Sequence, residues 1–94
     1  MKYRKKPVVI EAWDIADLLG YAEHDWQGMP EAVTVEYDRC GLLFTHDKLE
    51  IMTIEGWTVA GKDSMLIQGI KGEFYPCRKD IFAATYEPEE QDHE

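Results

Sequence analysis

Turn-forming residues interrupt this chain so often between residues 32 and 76 that no long element fits there. Asp38-Arg39-Cys40-Gly41, His46-Asp47-Lys48, Glu55-Gly56, Gly61-Lys62-Asp63 and Gly69-Ile70-Lys71-Gly72 cut it into short pieces. Within those pieces the apolar residues recur with a period of two, which is the signature of half-buried strands. Val33, Val35 and Tyr37 face one way and Thr34 and Glu36 the other, so a strand is predicted over 32–37. Leu42-Leu43-Phe44 returns as its hairpin partner, and Leu49, Ile51 and Thr53 begin a third segment. Segments at 57–60, 65–67 and 73–75 follow.

The two ends of the chain read differently. Val8, Ile10 and Ala12 alternate with Val9, Glu11 and Trp13, which predicts a strand over 7–13. Asp14 is a good helix N-cap, and Asp17 puts an acid where the helix dipole favours one. Ile15, Leu18 and Leu19 make an apolar stripe, so a helix is predicted over 15–23, weakened by Gly20. Gly28 and Pro30 make 24–30 a loop. Late in the chain, Asp80-Ile81-Phe82-Ala83-Ala84 has the composition of one or two helical turns packed by Ile81 and Phe82, with Asp80 as N-cap or first-turn acid. The expected fold is α+β: a small, strongly bent antiparallel sheet or open barrel with one early helix and a short C-terminal helical turn. Residues 1–87 form the single domain in this reading, and 88–94 an acidic, disordered tail. A sheet this small has much edge for its area, so closure or assembly into a homo-oligomer would help it.

Composition narrows the class. The 94 residues are 45% apolar, enough for one domain with its own core. No apolar run approaches the ~18 residues of a membrane span, and the segment 7–12 is too short for a signal-peptide core and contains Glu11. The expected location is the cytoplasm. Cys40 and Cys77 are too few for a disulfide scaffold and are expected to be free thiols. The net charge is −9, but Lys2, Arg4, Lys5 and Lys6 put four positive charges at the start, leaving 6 basic against 19 acidic groups, or −13, in the remainder. Such a body repels phosphate backbones, so nucleic acid is not an expected partner. The basic leader is read as a solvated run beside an edge strand.

Two stretches carry a family resemblance. Lys2-Tyr3-Arg4-Lys5-Lys6-Pro7-Val8-Val9-Ile10-Glu11-Ala12 opens the chain. Gly69-Ile70-Lys71-Gly72-Glu73-Phe74-Tyr75-Pro76-Cys77, with Asp80-Ile81-Phe82 and Thr85-Tyr86-Glu87, closes it. Together with Ile54-Glu55-Gly56 these runs resemble a family of small, uncharacterised bacteriophage and prophage proteins. Relatives often carry a Pro-Gly-Asp-Tyr or Pro-Gly-Asp-Trp turn where this chain has Lys62-Asp63-Ser64-Met65, and the segment from Asp14 to Pro30 is not typical of them. The resemblance implies phage origin and a bacterial cytoplasm; it implies no activity.

Candidate chemistry is sparse. Gly69 and Gly72, with Lys71 between them, have the composition of an anion-cradling turn. A phosphate loop needs a helix N-terminus behind it, whereas Glu73 and a strand-like Phe74-Tyr75 follow here. A plain hairpin turn with positive φ at a glycine accounts for the same residues. Cys77, near Arg78, Lys79 and a helix start, is weighed as an activated thiol and as a small buried apolar residue. His24, His46, His93 and the cysteines lack metal-ligand spacing, so no metal and no cofactor is expected. Trp13, Trp26 and Trp57 lack the basic groove that base stacking needs; Trp13 and Trp57 are read as core or edge-covering residues. Two functions remain. One is a non-enzymatic protein-binding module acting on a basic, nucleic-acid-handling host protein. The other is a binder of a nucleotide or metabolite, with a pocket among Gly69, Lys71, Gly72, Tyr75 and Trp57. No catalytic residue is named, and catalysis is not expected.

Overall fold

The computed structural model describes residues 1–4 and 6–88. Lys5 and residues 89–94 lie outside them, and with them nearly all of the tail expected to be disordered. Among the described residues six strands and three α-helices follow one another: β1 (Glu11–Asp14), α1 (Ile15–His24), a 3-10 turn (Trp26–Gly28), α2 (Glu31–Asp38), β2 (Leu42–Phe44), β3 (Leu49–Thr53), β4 (Gly56–Ala60), β5 (Ser64–Gln68), β6 (Phe74–Arg78) and α3 (Lys79–Thr85). The fold is α+β. Its strands form two antiparallel three-stranded sheets, ordered β1-β5-β6 and β2-β3-β4, and do not close into a barrel.

β1 passes directly into α1. The Asp14 carboxylate accepts the Ala16 N–H at 2.9 Å, as an N-cap should, and also meets the Lys79 ammonium at 2.9 Å. One side chain thus ends the first strand, starts the first helix and ties both to the beginning of α3. The early strand is shorter than its alternation predicts: pairing with β5 begins at Glu11, opposite Gln68, so 7–10 lie outside the ladder.

The main correction falls on 32–37, which is helical rather than extended. Valines at alternate positions read as a strand, but Val33 and Tyr37 also stand four residues apart on one face of the helix, with Met29 just before its start. Met29 and Val33 are buried, and Tyr37 packs edge-on to Trp26, with ring centroids 4.9 Å apart. Tertiary burial of that stripe overrides the local β preference. The fold therefore has a second helix beyond the single early one expected, and β2 pairs with β3, not with 32–37.

α2 ends in a Schellman motif. Gly41 N–H donates to Glu36 O and Cys40 N–H to Tyr37 O, each at 2.9 Å. Cys40 holds the left-handed position, with φ of 67°, where glycine is usual. A Cβ on Gly41 would meet the Glu36 side chain, which would have to turn aside.

One core joins the elements. Ile15, Leu18 and Leu19 of α1 and Met29 and Val33 at α2 meet Leu42, Leu49, Ile51 and Ala60 of one sheet and Leu66 and Phe74 of the other. Trp13 flanks it, stacked on Phe74. β5 is central in its sheet and buried on both faces: Leu66 points into the main core, and Ile67 points the other way, between Ala12 and Tyr75 in the ladder.

Two stability outcomes follow. Asp14→Ala should cost about 1–2 kcal/mol in denaturant unfolding by removing the cap, while Asp14→Asn, which still accepts the Ala16 N–H, should lose well under half of that. Cys40→Gly should raise stability by about 1 kcal/mol, near 4–8 °C in Tm, because glycine relieves the left-handed strain. A neutral or destabilising Cys40→Gly result would contradict the capping assignment.

Candidate functional site

Two surfaces qualify as candidates: a cleft at the junction of the two sheets, and the outer face of β2-β3-β4. The cleft has a volume of about 460 Å³ and is lined by Thr53, Ile54, Glu55 and Thr58 from the β3–β4 hairpin, by Glu73 just before β6, and by Phe74, Tyr75 and Pro76 from β6. Its ionisable lining includes two carboxylates and no lysine or arginine. That favours a cationic or neutral polar guest and opposes the phosphates of a nucleotide.

The hairpin that lines the cleft is built by Gly56. Its φ of 108° supplies the left-handed residue, since neither Ile54 nor Glu55 has positive φ. The Thr53 hydroxyl accepts the Glu55 N–H at 3.1 Å and donates to Gly56 O at 2.8 Å, locking the turn from inside.

The five residues named from sequence are not gathered around one cavity. Gly69 and Gly72 form a turn in which Gly72 N–H donates to Gly69 O at 3.0 Å and Gly69 N–H to Glu73 O at 2.8 Å. Gly72 has φ of 84°. The Lys71 N–H, which an anion would need, donates to the Glu73 carboxylate at 3.0 Å. A Cβ on Gly69 would strike that same carboxylate. The chain's own acid thus sits where a bound phosphate would compete. Lys71 and Gly72 line a different cleft with Glu31 and Glu36 of α2 and Arg39 at its C-cap. Tyr75 belongs to the junction cleft, and Trp57 stands opposite Met52 on the outer face of the second sheet.

Among the described residues, the Tyr75 phenol stands out with a displaced pKa. Partial burial raises it, helped by a hydrogen bond to Tyr86 and by the charges of Tyr86, Glu73 and Cys77, to about 12 from 10.0. Tyr86 also packs at a tilt against Phe82, with ring centroids 5.1 Å apart. The pair therefore anchors the α3 end of the chain over β6. Cys77 lies in β6 and Cys40 at the end of α2, and both are free thiols. The Cys77 thiol contacts Arg78 O at 3.6 Å. Among the described residues no group of three His, Cys, Asp or Glu side chains is placed to hold a metal ion, and no helix is long and apolar enough to cross a membrane.

The outer face of β2-β3-β4 escaped the sequence reading. The register sets Leu43, Glu50 and Val59 in one row and Met52 and Trp57 in the next. All four apolar members are exposed, from 42% for Met52 to 59% for Val59. The inner rows hold Leu42, Ile51 and Thr58, then Phe44, Leu49 and Ala60. Trp57 is accordingly on an edge strand and outside the core, while the smaller Thr58 and Ala60 face inward. The missed signal was that β4 offers apolar side chains on both faces, so alternation alone does not say which face is buried.

Comparison with protein-family models, curated proteins and solved structures finds no match to this chain.

The pH dependence of Tyr75 is testable. Its folded pKa lies above the unfolded value, so its contribution to stability is complete below pH 10 and is lost as pH rises toward 12. Tyr75→Phe should flatten the fall in stability across that window, and tyrosinate absorbance should show one fewer late-titrating phenol. An unchanged alkaline slope would contradict the assignment.

Proposed function

We propose that this protein is a non-enzymatic binding module whose contact surface is the outer face of β2-β3-β4. The observation that carries the reading is the clustering of Leu43, Met52, Trp57 and Val59 around Glu50 on one side of one sheet. Scattered exposed apolar residues are ordinary, but a contiguous patch on an ordered sheet marks an interaction surface. Trp and Met are enriched at the centres of such interfaces. The chain as a whole carries a net charge of −9, which suits a basic partner. A host protein that handles nucleic acid has that chemistry. Phage origin, implied by the terminal sequence runs, remains part of the proposal and fits such a target.

A second reading rests on the junction cleft, which is large enough for a small metabolite. Its Glu55 and Glu73 favour a cationic ligand, which narrows the nucleotide-or-metabolite alternative toward amines. A thermal-shift screen with polyamines and amino metabolites would raise Tm on this reading; a flat response removes it.

The binding-module reading is tested by capture from bacterial lysate with wild type beside Leu43→Ser/Met52→Ser, a charge-neutral pair that leaves the inner face intact. The wild type should retain a basic nucleic-acid-handling protein, and capture should fall steeply with salt. The variant should weaken it about tenfold or more, as expected for central interface truncations. Equal capture by both proteins, or capture indifferent to salt, counts against it.

A further inference from the structure

We propose that β4 is a self-complementary edge through which two copies of this chain join, antiparallel, about a two-fold axis at Thr58. β4 is hydrogen-bonded to β3 on one side only, and its other side is an open edge among the described residues. Natural sheets protect open edges with charge, proline or short length. The other three edges of this fold are protected in those ways. β2 has three residues. β1 carries Glu11 and Asp14. β6 carries Pro76, which has no N–H to donate, and Arg78. β4 reads Gly-Trp-Thr-Val-Ala, with neither charge nor proline, and pairs with β3 along all five residues.

The strand is also matched to itself. Antiparallel pairing centred on Thr58 sets Trp57 of each copy opposite Val59 of the other, and Thr58 opposite Thr58. Aromatic with β-branched and Thr with Thr are among the favoured cross-strand pairs. Trp57 is 47% and Val59 59% exposed, so both have area left to bury.

The charges at the ends of β4 select the antiparallel sense. Exposed Glu55 stands at its start. At its end stand exposed Lys62 and Lys48, whose ammonium lies 3.5 Å from the Cβ position of Gly61, together with Asp63. The two-fold arrangement brings Glu55 of each copy beside Gly61 and its lysines on the other, twice over. A parallel arrangement would set acid against acid. The resulting six-stranded sheet ends at the two three-residue β2 strands, so assembly closes at two copies rather than growing. The inference goes beyond the reading above, which uses the sheet's face rather than its edge and holds for one copy or two.

Sedimentation velocity of the full chain tests it. The wild type should be a dimer at micromolar concentration. Glu55→Lys and Lys62→Glu should each weaken the dimer by about 2- to 30-fold, the range of two surface ion pairs, and Glu55→Lys/Lys62→Glu should restore it. Val59→Lys should abolish it, while Ile81→Lys, a comparably exposed site on α3, should leave it unchanged. Circular dichroism checks folding; if Val59→Lys is unfolded, the two loop charges decide alone. A monomeric wild type, a dimer indifferent to Val59→Lys in a folded protein, or a double charge swap no tighter than the singles would overturn the proposal.

Discussion

Double-sided burial of β5 is the constraint on which the rest of the structure hangs. Leu66 and Ile67 are adjacent, point to opposite faces and are both inaccessible to solvent. A strand buried on both faces needs cover on each. On one side Leu66 meets α1, α2 and the inner face of the second sheet through the shared core. On the other, Ile67 shares its row with Ala12 and Tyr75, and Tyr75 is tied to Tyr86 beyond the end of α3. Asp14 adds a third tie, holding β1, α1 and Lys79 at one point. Aliphatic burial supplies most of the free energy here, and the polar ties chiefly set the direction of the chain.

That arrangement leaves one sheet half covered. The described residues provide three α-helices for four sheet faces. α1 and α2 join the core between the sheets, and the tail of the fold turns back over β1-β5-β6. No described element remains for the outer face of β2-β3-β4, so Leu43, Met52, Trp57 and Val59 meet solvent. The exposed patch thus follows from how the described elements are shared among the sheet faces. The glycine turn that looked like an anion cradle is, by contrast, closed by its own Glu73.

Local signals in the chain were legible where a single residue type enforces geometry. Asp14 marked the start of α1, Gly56 and Gly72 marked turns, and the period-two runs at 49–53, 57–60 and 65–67 marked strands. The misreading at 32–37 arose where two periods coexist. Val33, Val35 and Tyr37 satisfy a period of two, whereas Val33 and Tyr37 also satisfy the helical spacing of four. Only contact with Trp26, Phe44 and the core makes the second stripe worth more. Cys40 hid the end of that helix, because a left-handed cap normally announces itself with glycine.

The sequence by itself determined the class of object: a small α+β domain with an acidic body, closely spaced hairpins and a capped early helix. Those features depend on neighbours within a few residues, through backbone sterics, capping hydrogen bonds and side-chain alternation. Tertiary structure alone decided that the strands divide into two sheets, that 31–38 is helical, that the five named residues are spread over separate surfaces, and that β4 turns Trp57 outward. Which face of an ambivalent strand or helix is buried depends on the apolar area offered by elements far away in the chain, and no local pattern encodes that area.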